Sequence, residues 1–560
     1  MSDTSLLNVN MLALSSGQPT LSVKLGQQVP SKKVHIESSK KGLPVPIVQH
    51  EARKYSLHSK IDPIREGERF YQSAPHGGYL VFLGFGAGYH IRPFLDRSDI
   101  SRIVIIDFDA SIFKYLLKSI DLRQFFLDQR VRFLIDPSVE EITKEMLDNY
   151  LPAVSGNLQV LQLRSRVYME RERFSAAQKH IQGVIKSISE DYSVQSYFGK
   201  RWFVNSLRNL HLAETSTTTL PPVRKALITA AGPSLEIQLP ELKRQIDKGT
   251  LIATDTSLPF LLKNDIMPDL VISIDCQHIT YHHFMAGYPD KVPLVLDLAS
   301  PNHLTTKTDQ LVFFTSGHPF SRYVNSVWRR FPYIDTSGGN VSHAAVSLAE
   351  ALGAQQILLF GADFSFPEGK SYTRGTYLYP FFHTDSFRTR PLEHHFFSFL
   401  LRNENIIKVK EPNYIRYTTS PMISYKKRLE QASAELTAEL IPVPGKGEML
   451  TPAVRKRHRD ASVIVGTLFS AGVASLSWKE FIKSYSQAID SLPLPEESLN
   501  HYNSLLSKEQ KDIVTTLLPA AAAIRREHEL QGGQQTGAEI LADVIEWTQA
   551  TIATHLSALE

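Results

Sequence analysis

Two kinds of hydrophobic spacing divide the chain. Between residues 78 and 163, short runs of Val, Ile, Leu and Phe alternate with helical patterns: YLVFL at 79–83, RIVIID at 102–107, VRFLI at 131–135 and LQVLQL at 158–163. Continuous runs of this length suit strands covered on both faces, and their alternation with helices predicts a parallel α/β sheet. From 171 to 213 the period becomes helical. Ile181, Val184, Ile185, Ile188, Val194 and Phe198 mark one long helix or two in sequence. A second and clearer α/β pattern follows, with strands expected at 225–231, 250–254, 270–275, 294–298, 311–315 and 356–360 and a helix at 341–352. After Glu430 the pattern reads as helical throughout.

These patterns predict two Rossmann-like α/β domains in tandem, then a helical C-terminal domain. Residues 1–44 read as an irregular lead-in with a strand or two. Residues 45–214 form the first α/β domain with its long helix. The Thr/Pro stretch Thr215–Pro222 marks a boundary. Residues 222–430 form the central domain, and 431–560 the helical one.

Composition narrows the class. The chain has 560 residues, 42% hydrophobic and 21% charged. That is ordinary globular usage and excludes a disordered chain, a collagen or a coiled-coil rod. Lys and Arg number 61 against 57 Asp and Glu, and the resulting +4 is too small to indicate nucleic acid. The single cysteine, Cys276, forbids an internal disulfide or a CxxC metal site and fits a reducing compartment. The first twenty residues lack the basic region and longer apolar core of a secretory leader, so the chain reads as cytoplasmic. The uncharged stretch 461–478 follows the basic run Arg455–Arg459, but it contains Gly466, Gly472 and several Ser and Thr. It falls short of the about 20 predominantly apolar residues a membrane span needs, so a buried helix or turn is expected and no membrane partner. The basic run itself reads as a solvated face.

Chemistry concentrates in two places. Gly84, Gly86 and Gly88 follow a strand and open a helix, and Asp107 ends the next strand. This arrangement resembles the first two motifs of class I S-adenosylmethionine methyltransferases. Asp136-Pro137 is not their usual methyl-transfer signature, so a Rossmann-like domain without its cofactor is the favoured expectation. In the second domain, Gly232-Pro233-Ser234-Leu235 lies between a strand and a helix, where Ser234 could cap free N–H groups and the turn could hold a phosphate. Asp255, Asp275, Asp297 and Asp363 sit at or just past strand C-termini, the edge where open α/β sheets bind ligands. Asp297 is the one most readily assigned to a turn cap. Ser337-Gly338-Gly339-Asn340 adds a second glycine turn before a helix. His282-His283 and His394-His395 lack metal spacing and read as surface or packing residues, and no metal site is expected. Cys276 lies at a buried strand end and reads as unreactive.

The motifs GPSLE, IATDTSLPFLLKNDIMPDLVISIDCQ and TSGGNVSHAAVSLAEALGAQQILLFGADFSF, in this order, resemble the motility-associated factor (Maf) family of flagellin glycosyltransferases. The same region is similar to archaeal 6-hydroxymethylpterin diphosphokinases of the MptE type and, more distantly, to bacterial sialyltransferases that use CMP-sugars. The resemblance is specific over about residues 220–370 and looser before it, where it includes RWFVNSLRNL at 201–210. It implies transfer of a nonulosonic acid, of pseudaminic or legionaminic type, from a CMP donor to Ser or Thr of flagellin, with no cofactor required. By position, Gly232, Pro233, Ser234 and Leu235 would line the CMP site, with Asp255 and Thr256 as polar nucleotide contacts. Asp275 and Gln277 would border the donor, and Ser337, Gly338, Gly339 and Asn340 would approach the nucleotide or the sugar carboxylate. The family often has a histidine after the motif seen here as GADFSF, and this chain has Tyr372 there. His383, His343, Tyr372 and Asp363 are therefore the catalytic candidates, and Arg374 a candidate anchor for a carboxylate or phosphate. Two alternatives stay open: a pterin diphosphokinase whose carboxylates hold Mg²⁺ and ATP phosphates, and a non-catalytic flagellar assembly factor that keeps the nucleotide fold.

Overall fold

The computed structural model describes residues 3–74, 77–403, 405–456, 469–496, 499–533 and 535–558. Parts of the uncharged stretch 461–478 and of the basic run Arg455–Arg459 lie outside them. Among the described residues, no helix is long and apolar enough to cross a membrane. The chain forms two compact units: Met1–Gly199 with Ala488–Ala550, and Lys200–Gln487 with Thr551–Glu560.

In the first unit, Val34–Ser38 (β1), Pro44–His50 (β2) and Arg53–Ser56 (β3) form an antiparallel sheet. Gly78–Leu83 (β4), Ile100–Asp107 (β5), Val131–Ile135 (β6) and Leu158–Gln162 (β7) pair in parallel in the order β6-β5-β4-β7. Alternate residues feed two apolar layers. Leu80, Phe82, Ile103 and Ile105 enter one, and Tyr79, Val81, Val104 and Ile106 the other, as the two-residue period of a strand requires.

The lead-in is not irregular. It forms the helices Asp3–Gly17 and Pro19–Gly26 before β1. Its hydrophobic pattern is weak, and the buried Asn10 does the anchoring. Asn10 Nδ2 donates to the carbonyls of Leu117 and Ile120 at 2.8 and 2.7 Å, and its Oδ1 accepts from the Leu122 amide at 3.0 Å. The two carbonyls lie at the C-terminal end of helix Ala110–Ser119, where a helix leaves carbonyls to be satisfied from outside.

Arg171–Thr215 is one helix of 45 residues. The unit boundary falls inside it at Gly199, not in the Thr/Pro stretch after it. Ile181, Val184, Ile185 and Ile188 pack into the β4 layer of the first unit, whereas Asn205 and Asn209 bond backbone of the second.

In the second unit, Lys225–Thr229 (β8), Thr250–Thr254 (β9), Leu270–Ser273 (β10), Leu294–Asp297 (β11), Leu311–Phe314 (β12) and Gln356–Phe360 (β13) follow the expected runs. Phe366–Pro367 (β14), Ile407–Lys410 (β15) and Ile415–Thr418 (β16) make a small antiparallel sheet in the order β14-β16-β15. Glu439–Pro442 (β17) completes the main sheet, which is parallel throughout in the order β12-β11-β10-β9-β8-β13-β17. The stretch after Glu430 is thus not helical throughout. β17 has four residues and ends in proline, which an edge position tolerates. Helix Val341–Ala351 buries Ala344, Ala345, Leu348 and Ala349 against this sheet.

From Trp478 onward the chain is helical, in Trp478–Asp490, Leu499–Leu505, Lys508–Leu530 and Gly537–Ser557. These helices make up the helical C-terminal region and are divided between the two units. Within the first unit the reason is close packing. A Cβ on Gly199 would lie 1.8 Å from the carbonyl oxygen of Pro519, and Arg525 Nε donates to the Ala153 carbonyl at 2.6 Å.

Candidate functional site

The main sheet reverses direction between β8 and β13, since β8 to β12 run outward on one side and β13 returns on the other. Ligands of open α/β sheets bind at such a reversal, outside the strand C-termini. Here the reversal is closed by the chain itself. The Gly232 amide donates to the Gly361 carbonyl at 2.8 Å, the Ser234 amide to Asp363 Oδ2 at 2.8 Å, and the Leu235 amide to the Gly232 carbonyl at 3.0 Å. Ser234 makes no side-chain cap to the following helix, and its hydroxyl instead accepts the Lys446 amide at 2.7 Å. A Cβ on Gly447 would meet Asp363 at 2.4 Å. The turn at Gly232-Pro233-Ser234-Leu235 therefore has its amides committed internally and does not present them to a phosphate. Asp363 ties the turn to the 445–448 loop, a task that occupies its carboxylate and takes it out of the group of candidate acids and bases.

The four carboxylates separate into distinct roles. Asp255 is buried, its Oδ1 accepting the Thr256 amide at 2.6 Å and the Thr256 hydroxyl at 3.0 Å, its Oδ2 accepting the Ser273 hydroxyl at 2.7 Å. Asp275 accepts the Gln277 amide at 2.9 Å. Burial, followed by the charge of Asp255, raises its carboxyl above the usual range, so Asp275 holds its proton to a higher pH than a free carboxyl does. Asp297 caps its own turn through the Ala299 amide at 2.8 Å, as expected, while its buried Oδ2 has no protein partner.

The segment after β14 closes over this rim. The Thr373 amide donates to the Ala231 carbonyl at 2.8 Å. Tyr372 lies within electrostatic reach of Asp255 and Asp275, and burial, with Tyr377 and these acids beside it, pushes its phenol well above the ordinary value. It is thus a hydrogen-bond donor at neutral pH and not a base. Tyr377 carries His282 stacked at 5.6 Å and His283 edge-on at 5.0 Å. His283 is 9% exposed and its Nδ1 has no partner. His395 packs on Phe382 at 5.5 Å. At the other glycine turn, Gly339 takes φ +78° beside Tyr425, and Gly338 lies directly against His343, where a Cβ would be 1.3 Å from Nδ1. Asn340 caps the helix through the His343 amide at 3.0 Å. Burial holds the His343 imidazole below its usual range, so it is neutral, and its Nδ1 is unpartnered. Ser337 donates its amide to Asp335 at 2.9 Å.

Further buried polar atoms in this unit are also without protein partners: Thr254 Oγ1, Ser316 Oγ, Asn340 Nδ2 and Thr373 Oγ1. An unpartnered buried polar atom costs free energy unless a ligand or water meets it. Cys276 is buried, its thiol pushed up to about 12 by burial and by Asp275 beside it, so it is unreactive as expected. Among the described residues, no three His, Cys, Asp or Glu side chains converge as metal ligands would.

His383 and Arg374 are placed elsewhere. Both line a cavity of about 580 Å³ with Lys263, Tyr379 and Phe396, and its lining does not include Asp255, Asp275 or Tyr372. Arg374 sits 3.8 Å from Glu236. Sequence reading missed Asn205 and Asn209. Asn205 Nδ2 donates to the carbonyls of Cys276 and Ala299, and Asn209 Nδ2 to those of Leu298 and Ser300, all between 2.8 and 3.1 Å. They pin the loops that carry Asp275 and Asp297. Two asparagines four apart on one helix face were the available signal.

In the first unit the glycine loop is filled. A Cβ on Gly86 would lie 2.5 Å from His58 Nε2, and one on Gly84 2.9 Å from Arg166 Cβ. Asp107 accepts the Phe85 amide at 2.7 Å and Arg166 Nε at 2.9 Å, so its carboxylate is not presented to ribose hydroxyls. Arg166 is 1% exposed. This domain keeps the Rossmann turn and uses it for packing.

Two α/β units in tandem, each with a parallel sheet, the second with Asp255, Asp275 and Tyr372 at its strand edge, define the class. The chain matches the glycosyltransferase Maf N-terminal domain over residues 27–196 and the 6-hydroxymethylpterin diphosphokinase MptE-like family over residues 200–369. It belongs to the Maf glycosyltransferase family. The structure of MAf glycosyltransferase from Magnetospirillum magneticum AMB-1 superposes with a TM-score of 0.58 and 14% identity, covering 100% of this chain and 97% of that one, a likeness of fold. Two uncharacterized proteins of Treponema pallidum (strain Nichols) are 34% identical, one over 29% of this chain and 79% of its own length, the other over 27% and 54%.

Proposed function

We propose that the protein transfers a nonulosonic acid from a CMP-activated donor to Ser or Thr of flagellin in the cytoplasm, in support of flagellar assembly. One observation carries this reading: Asp255, Asp275 and Tyr372 converge at the sheet edge of the unit that holds the MptE-like match.

The residue types suit the chemistry. The sugar's bond to CMP phosphate breaks as the acceptor hydroxyl attacks, through an oxocarbenium-like transition state. The leaving phosphate needs a hydrogen-bond donor, and the acceptor hydroxyl must lose a proton. Tyr372, held protonated, supplies the donor. Asp275, with its raised proton affinity, supplies the base. Asp255, fixed by Thr256 and Ser273, orients the nucleotide sugar. Calorimetry with CMP tests the reading first. Binding by the wild type, lost in Asp255→Ala, supports it, and no cytidine-nucleotide binding defeats it. Intact mass of flagellin with and without the gene tests the transfer.

A further inference from the structure

Residues 370–410, inserted between β14 and β16, hold seven Lys or Arg against three Asp or Glu. Their net +4 equals that of all 560 residues, so the rest of the chain is balanced. The same segment holds nine Phe and Tyr. Phe381, Phe387 and Leu401 are exposed by 59%, 60% and 67%. Arg388 and Arg390 are exposed and have no carboxylate partner among the described residues. They lie on a turn closed by paired hydrogen bonds between Phe387 and Arg390. The 580 Å³ cavity opens on this segment, between Arg374, Tyr379, Phe396 and Phe397 on one side and Lys263 on the other. Exposed aromatic residues beside arginines are the composition of protein interfaces, and unpaired cations favour an acidic partner.

We propose that this lobe docks an acidic, apolar-bearing segment of the protein acceptor, one apolar side chain entering the cavity. A side chain can fill a concavity of this size, which a flat bilayer cannot. The lobe is tied to the end of β8 by the Thr373–Ala231 hydrogen bond. Lys408 and Lys410 on β15 also guard an open sheet edge, so they are not the residues to test. The proposal rests on the reading of the chain as a protein glycosyltransferase.

The test uses the full-length protein and flagellin from the same organism. Affinity is measured by biolayer interferometry at low and high salt for the wild type, for Arg388→Glu/Arg390→Glu, and for Phe397→Ala. CMP affinity is measured on the same samples. The expected result is flagellin binding weakened about tenfold or more in both variants, weakened by salt in the wild type, with CMP affinity unchanged. Unchanged flagellin affinity in the variants, or no binding by the wild type, overturns the proposal. So does loss of binding to phosphatidylglycerol vesicles with flagellin binding intact, which would make the lobe a membrane surface. Loss of CMP binding in the variants would assign the cavity to the donor and also overturn it. If the wild type binds no CMP, yet the variants still lose flagellin, the transferase reading fails and the docking surface stands.

Discussion

The amide of Ser234 donates to the carboxylate of Asp363 at 2.8 Å, and this bond joins the ends of β8 and β13 where the sheet reverses. A Cβ on Gly232 would lie 2.5 Å from the same carboxylate, so the glycine is there for close approach. Asp363→Ala leaves a buried amide without a partner. The expected loss of stability is about 1–3 kcal/mol, with part of it restored in Asp363→Asn, measured by denaturant unfolding. An unchanged midpoint in the alanine variant would remove Asp363 from its structural role.

Asp275 predicts a pH dependence. Burial, then the charge of Asp255, raises its pKa above 3.8. The folded chain therefore keeps this proton to a higher pH than the unfolded chain does. As pH rises from the unfolded value through the folded one, stability falls. Asp275→Asn removes that loss. The variant should melt higher than the wild type at pH 7, with the gap closing as pH drops toward about 4. Transfer should fall by about 10²–10⁴-fold. A gap in Tm that does not vary with pH would contradict the assignment.

Tyr372→Phe keeps the ring and deletes the donor. The expected effect is a fall of about 10²-fold in kcat with little change in KM for the donor. The acid limb of the pH–rate profile should stay where it is, because Asp275 and not Tyr372 sets it. A lost alkaline limb with unchanged maximal rate would make Tyr372 a base after all.

Gly338→Ala would bring a Cβ to 1.3 Å from His343 Nδ1, so the turn or the imidazole must move. Overpacking of this kind costs about 1–3 kcal/mol of stability, and under the proposed function the displaced turn should also bind CMP more weakly. Titration calorimetry on a variant of unchanged circular dichroism decides it.

In the first unit, Arg166→Met strands the buried Asp107 carboxylate. Breaking a buried pair in this way costs about 3–5 kcal/mol, and chemical unfolding should show it. S-adenosylmethionine should bind neither form, since His58 and Arg166 occupy the loop where it would lie.

The strands of both sheets were legible because runs such as VRFLI and QILLF are buried on both faces, and such a strand has no polar alternative. The helices Asp3–Gly17 and Pro19–Gly26 were not, since Asn10 and Gln18 anchor them through backbone groups more than a hundred residues away. β17 was hidden for a similar reason: a four-residue strand exists only because β13 is there to pair with it.

Local pattern determined the buried strands of both parallel sheets before β17, the glycine turns and the placing of four aspartates at strand ends, because burial and backbone conformation act over a few residues. What each aspartate bonds was decided only in three dimensions. Asp255 is held by Thr256 and Ser273, Asp275 by Gln277, Asp297 folds into its own turn, and Asp363 is taken by Ser234. A carboxylate binds whichever donor the tertiary fold brings within about 3 Å, and that donor is set by strand order, not by sequence neighbours.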